Sequence, residues 1–187
     1  MQQYATFEPE EITRFEAEAR FFRGMVYYEL VKRHHQVIVY RENMLDYAKD
    51  TPLNTEDESW DIVEEDLTFA AQNLPPKWDA AEQGRVTSYA AWALLSRAML
   101  YAERWDVAKA AADEVEKGGF KLMDGATAEE YSKIFSITAM QGNTESILDY
   151  TYQHGTIDHN FDYCFSPKGD DEMYALGLGN PTQDLVE

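Results

Sequence analysis

The chain has 187 residues, 44% hydrophobic and 13% aromatic, which is long and apolar enough to bury one core. Its 35 acidic and 16 basic residues give a formal net charge of −19, which repels phosphate backbones and argues against nucleic acid as a partner. The single cysteine, Cys164, cannot form an internal disulfide. We see no apolar run long enough to span a membrane and no signal peptide in the first residues.

Two amphipathic helices are predicted in the first half of the chain. The first spans residues 8–33, begins at Pro9, and has apolar residues at spacings of three and four that predict one buried stripe. These residues are Ile12, Phe15, Ala19, Phe22, Val26 and Leu30. After an irregular segment, Thr55 and Glu58 predict a capping box at the start of the second helix. Its predicted stripe is Trp60, Val63, Leu67, Ala70 and Leu74.

The segment from Gly84 to Phe120 predicts a helical hairpin. Its first helix carries Trp92, Leu95, Ala98 and Met99 at helical spacing, and its second carries Trp105, Ala108, Ala112 and Val115. Counted from Trp92 as the repeat's tryptophan, several of these match the apolar or small positions of a tetratricopeptide repeat. We therefore expect Trp60, Trp92 and Trp105 to pack in the core. Arg85, just before the hairpin, is expected to make a structural ion pair or hydrogen bond.

The remainder of the chain predicts less regular structure. Thr127 and Glu130 suggest a capped fifth helix, and residues 145–152 read as an extended segment. From Gly155 onward Gly, Asn, Asp and Pro predict loops. We expect residues 1–154 to form a helical scaffold and residues 155–187 to begin a loop-rich ligand-binding region. The abrupt end at Glu187 suggests a truncation inside a larger protein.

Five segments occur in the order typical of one family. They are EARFFRGMVYYELVKRH at 18–34, WDIVEEDLTFAAQNLPP at 60–76, GRVTSYAAWALLSRAMLYAERWDVAKAAADEVEKGGFKL at 84–122, TESILDYTY at 144–152 and NPTQDLVE at 180–187. Together they resemble the SusD/RagB-like nutrient-binding lipoproteins of Gram-negative outer membranes. The resemblance implies a mainly α fold of tetratricopeptide-like helical hairpins, an α-α superhelix, with long irregular loops that carry the ligand site.

The resemblance also implies a function. Members of the family are held at the cell surface by an N-terminal lipidated cysteine, and they capture glycans or other nutrients for a TonB-dependent outer-membrane transporter of SusC type. The chain departs from the family pattern in two respects. It lacks the lipidated cysteine, and RHHQVIVYRE follows the first helix where the family commonly has a Gly-rich turn and Val-Pro-Leu. The segment 35–54 is therefore left without an assigned role.

The candidate ligand site is a loop rich in aromatic and polar residues. Sugar binding needs flat apolar rings that stack on pyranose faces, together with amide, carboxylate or hydroxyl groups that bond the hydroxyls. The predicted ligand-binding residues are Asn160, Phe161, Tyr163, Phe165 and Tyr174, with Trp78 as the tryptophan expected to be exposed. Packing of the same aromatic residues onto the helices is the alternative.

No metal or cofactor is expected. His154, Asp158, His159 and Asp162 match no zinc spacing. Asp170, Asp171 and Glu172 leave calcium as a weak possibility, since they offer oxygen ligands without an EF-hand loop.

Catalytic motifs are absent from the sequence, so an enzyme is not expected. The leading hypothesis is a non-catalytic glycan- or nutrient-binding surface protein that partners the transporter. The second is a protein-interaction adaptor of tetratricopeptide type. The third is a glycan-active enzyme, for which the many carboxylates are no evidence in themselves.

Overall fold

The computed structural model describes residues 7–41, 51–122, 127–133 and 143–149, all within the unit Met1–Asp149. The helices of this described part are α1 (Pro9–His34), α2 (Glu56–Asn73), α3 (Ser88–Tyr101), α4 (Trp105–Glu116) and α5 (Ala128–Lys133). A 3-10 turn, Ala80–Glu82, lies between α2 and α3. α1 packs on α2, α2 on α3 and α3 on α4, so each of the first four helices is a neighbour in space of the next one in sequence. The predicted mainly α architecture is confirmed.

The helix starts are fixed by the side chains that the sequence places there. Thr55 and Glu58 form the predicted capping box of α2, in which each side chain satisfies a backbone N–H of the other residue. Glu8 and Glu11 form a second capping box at α1. Thr87 accepts a hydrogen bond from Ala90 N and begins α3. Local capping therefore decides where these three helices begin.

The buried stripe predicted on α1 is wrong. Phe22 is 50% exposed, Val26 53% and Leu30 39%, and Ala19 is exposed as well, while Ile12 and Phe15 are half-buried. The opposite face is buried instead, through Ala17, Phe21, Gly24, Tyr28 and Val31. Gly24 explains why this face is the buried one, because a Cβ added at Gly24 would lie only 3.0 Å from Leu67 Cγ. Glycine lets α2 approach this face closely, although the other face is more apolar.

The stripe predicted on α2 is confirmed, because Trp60, Val63, Leu67, Ala70 and Leu74 are all buried. This face lies between α1 and α3 and forms the centre of the core. The core prediction is therefore right for Trp60. Trp92 on α3 is half-buried and packs against the core.

The stripe predicted on α4 is wrong in part. Trp105 is 59% exposed and Ala112 is exposed, so the prediction that Trp105 packs in the core fails. The predicted Ala108 is buried, and Ala111, outside the predicted stripe, is buried with it. The reason is a close contact with α3, where the Ser96 hydroxyl donates to Ala108 O at 2.9 Å. Helices that meet at alanines turn Ala111 inward and leave the tryptophan outside the interface.

The chain that follows α4 is hydrogen-bonded to the segment 143–149. Lys121 N donates to Thr144 O at 3.0 Å, and the Thr144 hydroxyl returns a bond to Lys121 O. Residues 143–149 run as bends, so the predicted strand does not form in the described part of 145–152. The predicted fifth helix is present as α5. Residue 154, where the domain boundary is predicted, lies outside the described residues. No helix within the described ranges is long and apolar enough to cross a membrane.

Candidate functional site

The predicted ligand-binding loop lies outside the residues that the structure describes. This applies to Asn160, Phe161, Tyr163, Phe165 and Tyr174, and also to Cys164 and to the metal candidates His154, Asp158, His159, Asp162, Asp170, Asp171 and Glu172. Of the predicted site residues, Trp78 alone belongs to the described part. These assignments stay predictions.

Trp78, the tryptophan predicted to be exposed, is half-buried in the connection between α2 and α3 and packs against the core. Its indole Nε1–H donates to Val86 O at 2.8 Å, and the Arg85 guanidinium lies 4.2 Å from the ring centroid. Arg14 of α1 lies 5.6 Å from the same centroid. The ring therefore joins the α2–α3 connection to α1, and its polar atom is already satisfied.

Arg85 makes the structural contacts that its position predicts. Its Nε and Nη2 donate to the two carboxylate oxygens of Glu18, each at 2.8 Å, and Glu82 pairs with Nη1. The hydrogen bond to Glu18 is the main reason that the Arg85 pKa lies above its usual value. This bidentate pair fixes the guanidinium against Trp78.

A buried carboxylate joins α1 to α2. The Asp66 side chain is fully buried and accepts hydrogen bonds from Arg23 Nε at 2.6 Å and Nη2 at 2.8 Å. The hydrogen bond to Asp66 raises the pKa of Arg23. Arg23 Nη1 also donates to Arg41 O at 2.7 Å, so the same side chain holds the segment after α1. Sequence reasoning missed this pair, although Asp66 has the spacing of the buried stripe.

A shallow groove of about 590 Å³ follows the outer face of α2. Thr68, Phe69 and Gln72 of α2 line it, with Arg20 of α1 beside Phe69. Arg104, just before α4, lines it beside the carboxylates of α2. Three elements build the groove, so no single sequence motif predicts it.

The charges along the groove are paired. Arg104 donates through Nη1 to Glu64 and through Nη2 to Asp61, both at 2.6 Å. Burial alone would lower the Arg104 pKa, but these two bonds outweigh it and raise the pKa. Glu65 pairs with Arg41. Arg20 donates to Glu16 and lies 4.0 Å from the Phe69 ring centroid. Both arginines are thereby held in fixed positions.

No group of three or more potential metal ligands occurs within the part of the chain that the structure describes. His35, which follows α1, has its Nδ1 at 2.9 Å from Glu56 Oε1 of α2. This histidine therefore links the end of α1 to the first turn of α2.

The described helices pack in sequence order and carry a shallow polar groove, and comparison with known proteins identifies the family of the chain. Residues 3–100 match the SusD-like family described as starch-binding and associating with the outer membrane. A SusD-like protein of Bacteroides ovatus is 28% identical over 150 residues, covering 73% of this chain and 26% of that protein. The chain belongs to the SusD-like family, which confirms the resemblance that its five segments show.

Solved structures support the same assignment. A SusD-like protein from Bacteroides fragilis superposes with a TM-score of 0.81 at 34% identity, covering 97% of this chain and 36% of that one. A laminarin-binding SusD-like protein gives a TM-score of 0.69 at 25% identity, covering 81% of this chain and 33% of that one. The chain therefore spans about a third of the length of these solved relatives.

Proposed function

We propose that this chain is the helical part of a non-catalytic glycan-binding protein at the outer-membrane surface. One observation carries the proposal: nearly the whole chain, 97%, superposes on a SusD-like structure at 34% identity. The family description couples starch binding with outer-membrane association. A relative at 25% identity binds laminarin, so neutral glucans are the first ligands to test.

In the proposed mechanism, the helix stack is a rigid frame and the ligand is captured without covalent chemistry. The aromatic residues Phe161, Tyr163, Phe165 and Tyr174 would stack on pyranose faces, and Asn160 would bond the hydroxyls. Trp78 is proposed as a further contact at the edge of the frame. The capped helix starts and the Arg23–Asp66 pair support this mechanism, because a frame that does not move lowers the cost of ordering the site.

The proposed protein partner is a TonB-dependent transporter of SusC type, with a lipid anchor at the membrane. The exposed side chains Phe22, Val26 and Leu30 on the outer face of α1 support a protein partner, because such apolar surface is usually covered in an assembly. Pull-down of a co-expressed transporter tests this partner. We expect Val26→Glu to weaken capture and Lys77→Glu, an exposed change elsewhere, to leave it unchanged. Equal capture by both variants would remove α1 from the docking surface.

Binding is tested by calorimetric titration of the chain with maltohexaose and laminarihexaose. We expect saturable binding to at least one glucan. We also expect Tyr163→Ala, which removes one stacking ring, to lower the affinity by about tenfold. Chromatography of the glucans after long incubation should show no shortened products. A folded chain that binds neither glucan would contradict the proposal, and cleavage of either glucan would contradict its non-catalytic part.

A further inference from the structure

We infer that the groove along the outer face of α2 is an accessory binding site for a neutral oligosaccharide, formed by residues other than those of the predicted loop-rich region 155–187. This inference rests on the proposed function, because it adds a second site for the same class of ligand. The groove has a volume of about 590 Å³ and is open to solvent, so a ligand would lie along α2 with one side exposed.

The first argument is that the groove contains unused hydrogen-bonding groups. Thr68 and Gln72 both line it, and neither side chain has a hydrogen-bond partner among the described residues. They lie one helical turn apart, so a hydroxyl and an amide stand side by side on the same face of α2. An amide supplies two donors and an acceptor, which is the combination that adjacent sugar hydroxyls require.

The second argument is that the charged groups are held in position before any ligand arrives. Asp61 and Glu64 each give one oxygen to Arg104, so the second carboxylate oxygen of each is available to accept from a hydroxyl. The ion pairs fix these oxygens at no further entropic cost upon binding. The polar side chains of the groove are thus preorganised by their ion pairs.

The third argument concerns the charge of the ligand. Arg20 and Arg104 are both engaged with carboxylates, and Glu65 is engaged with Arg41, so little uncompensated charge faces the groove. A phosphate or another strong anion would find both guanidiniums of the groove already paired with carboxylates, on a chain of net charge −19. A neutral ligand with many hydroxyls meets no such repulsion.

Phe69 completes the site. Its ring is half-buried, and the Arg20 guanidinium lies 4.0 Å from its centroid. Because the guanidinium covers one face of the ring, apolar C–H groups of a pyranose would pack against the accessible edge of Phe69. Aromatic surface, a fixed guanidinium and a free amide therefore meet in one place.

The test is an NMR titration of the full ¹⁵N-labelled chain with maltohexaose and laminarihexaose. We expect saturable shifts of backbone amides at residues 65–72 with at least one glucan. Gln72→Ala and Thr68→Val should each weaken this site by about fivefold, the effect of losing one hydrogen bond. Gln83→Ala is the matched control, because Gln83 is an exposed glutamine in the α2–α3 connection and should leave the affinity unchanged. Circular dichroism confirms that each variant is folded.

The outcomes separate the two proposals. If a glucan binds and the shifts exclude residues 65–72, the groove inference is overturned while the proposed function stands. If neither glucan binds anywhere, both are overturned. Equal shifts of these amides with glycerol, or stronger ones with a lysine-rich peptide, would also overturn the inference, because the groove would then not be selective for oligosaccharide.

Discussion

Arg23 of α1 reaches across to Asp66 of α2 and binds both of its carboxylate oxygens, at 2.6 and 2.8 Å. The Asp66 side chain is fully buried, whereas 29% of the Arg23 side chain stays exposed. A buried carboxylate is costly unless it is paired, so the docking of α1 on α2 depends mainly on this guanidinium, with Arg20 Nη1 at 4.0 Å from Asp66 Oδ1 as a weaker second cation.

Removal of the guanidinium should therefore be severe. We expect Arg23→Met to lower the free energy of unfolding by about 3 kcal/mol, the lower part of the range for a broken buried ion pair, because Arg23 is partly exposed and Arg20 stays 4.0 Å from Asp66. Urea unfolding followed by circular dichroism measures the loss. The double variant Arg23→Met/Asp66→Leu is the control and should recover most of it. A single variant within 1 kcal/mol of the parent (roughly the value of a surface pair) would show that water solvates Asp66.

Adjacent phenylalanines on α1 offer a second test. Phe21 is 1% exposed and Phe22 is 50% exposed, so we expect Phe21→Ala to cost about 3–5 kcal/mol and Phe22→Ala less than about 1 kcal/mol. The two substitutions remove the same atoms from the same helix, and helix propensity therefore cancels between them. The difference is measured by thermal or urea unfolding. Equal losses would mean that the outer face of α1 is buried in solution.

This pair of residues also shows how far the sequence alone can lead. Helix positions, the Thr55–Glu58 capping box and the stripe of α2 are local properties, and they could be predicted. The orientation of α1 could not, because apolar residues occupy both of its faces. The face that is buried is determined by Gly24, because the absence of a side chain there lets Leu67 of α2 pack closely against α1. A hydropathy pattern contains no information about such close packing.

The site was less predictable than the fold. A charged residue is expected at the surface, so the burial of Asp66 could be predicted only from its helical spacing to Val63 and Ala70. The groove brings Arg20 and Arg104, which are distant in sequence, together with six residues of α2. Only the packing of the helices brings these side chains together, and a motif search cannot find them.

Trp78 allows structural and ligand-binding roles to be separated. Trp78→Phe keeps a ring beneath Arg85 but removes the indole donor to Val86 O, and we expect a loss of about 1 kcal/mol in stability. Affinity for maltohexaose is then measured well below the unfolding midpoint. A drop of more than about threefold supports the proposed ligand contact of Trp78. Unchanged affinity would restrict this residue to holding the α2–α3 connection.

The capping box of α2 predicts a pH dependence. Glu58 Oε2 accepts from Thr55 N at 2.9 Å and from the Thr55 hydroxyl at 3.0 Å, and the backbone bond is the main cause that lowers the Glu58 pKa below its usual value of 4.5. Because the folded-state pKa is the lower one, this stabilisation is complete above the unfolded-state pKa. It is lost as the pH falls through the folded-state pKa.

We therefore expect the free energy of unfolding to fall between about pH 5 and pH 3, with a shallower slope for Glu58→Gln than for the parent chain. Glutamine can still accept the bond from Thr55 N, but it carries no charge that protonation could remove. Thr55→Ser is the matched control, since it keeps both donors to Glu58 and should keep the parent slope. Urea unfolding at a series of pH values measures all three chains. Identical slopes for Glu58→Gln and the parent would show that the pH dependence arises from other carboxylates, such as Glu29, whose pKa is lowered by its hydrogen bond from Lys32.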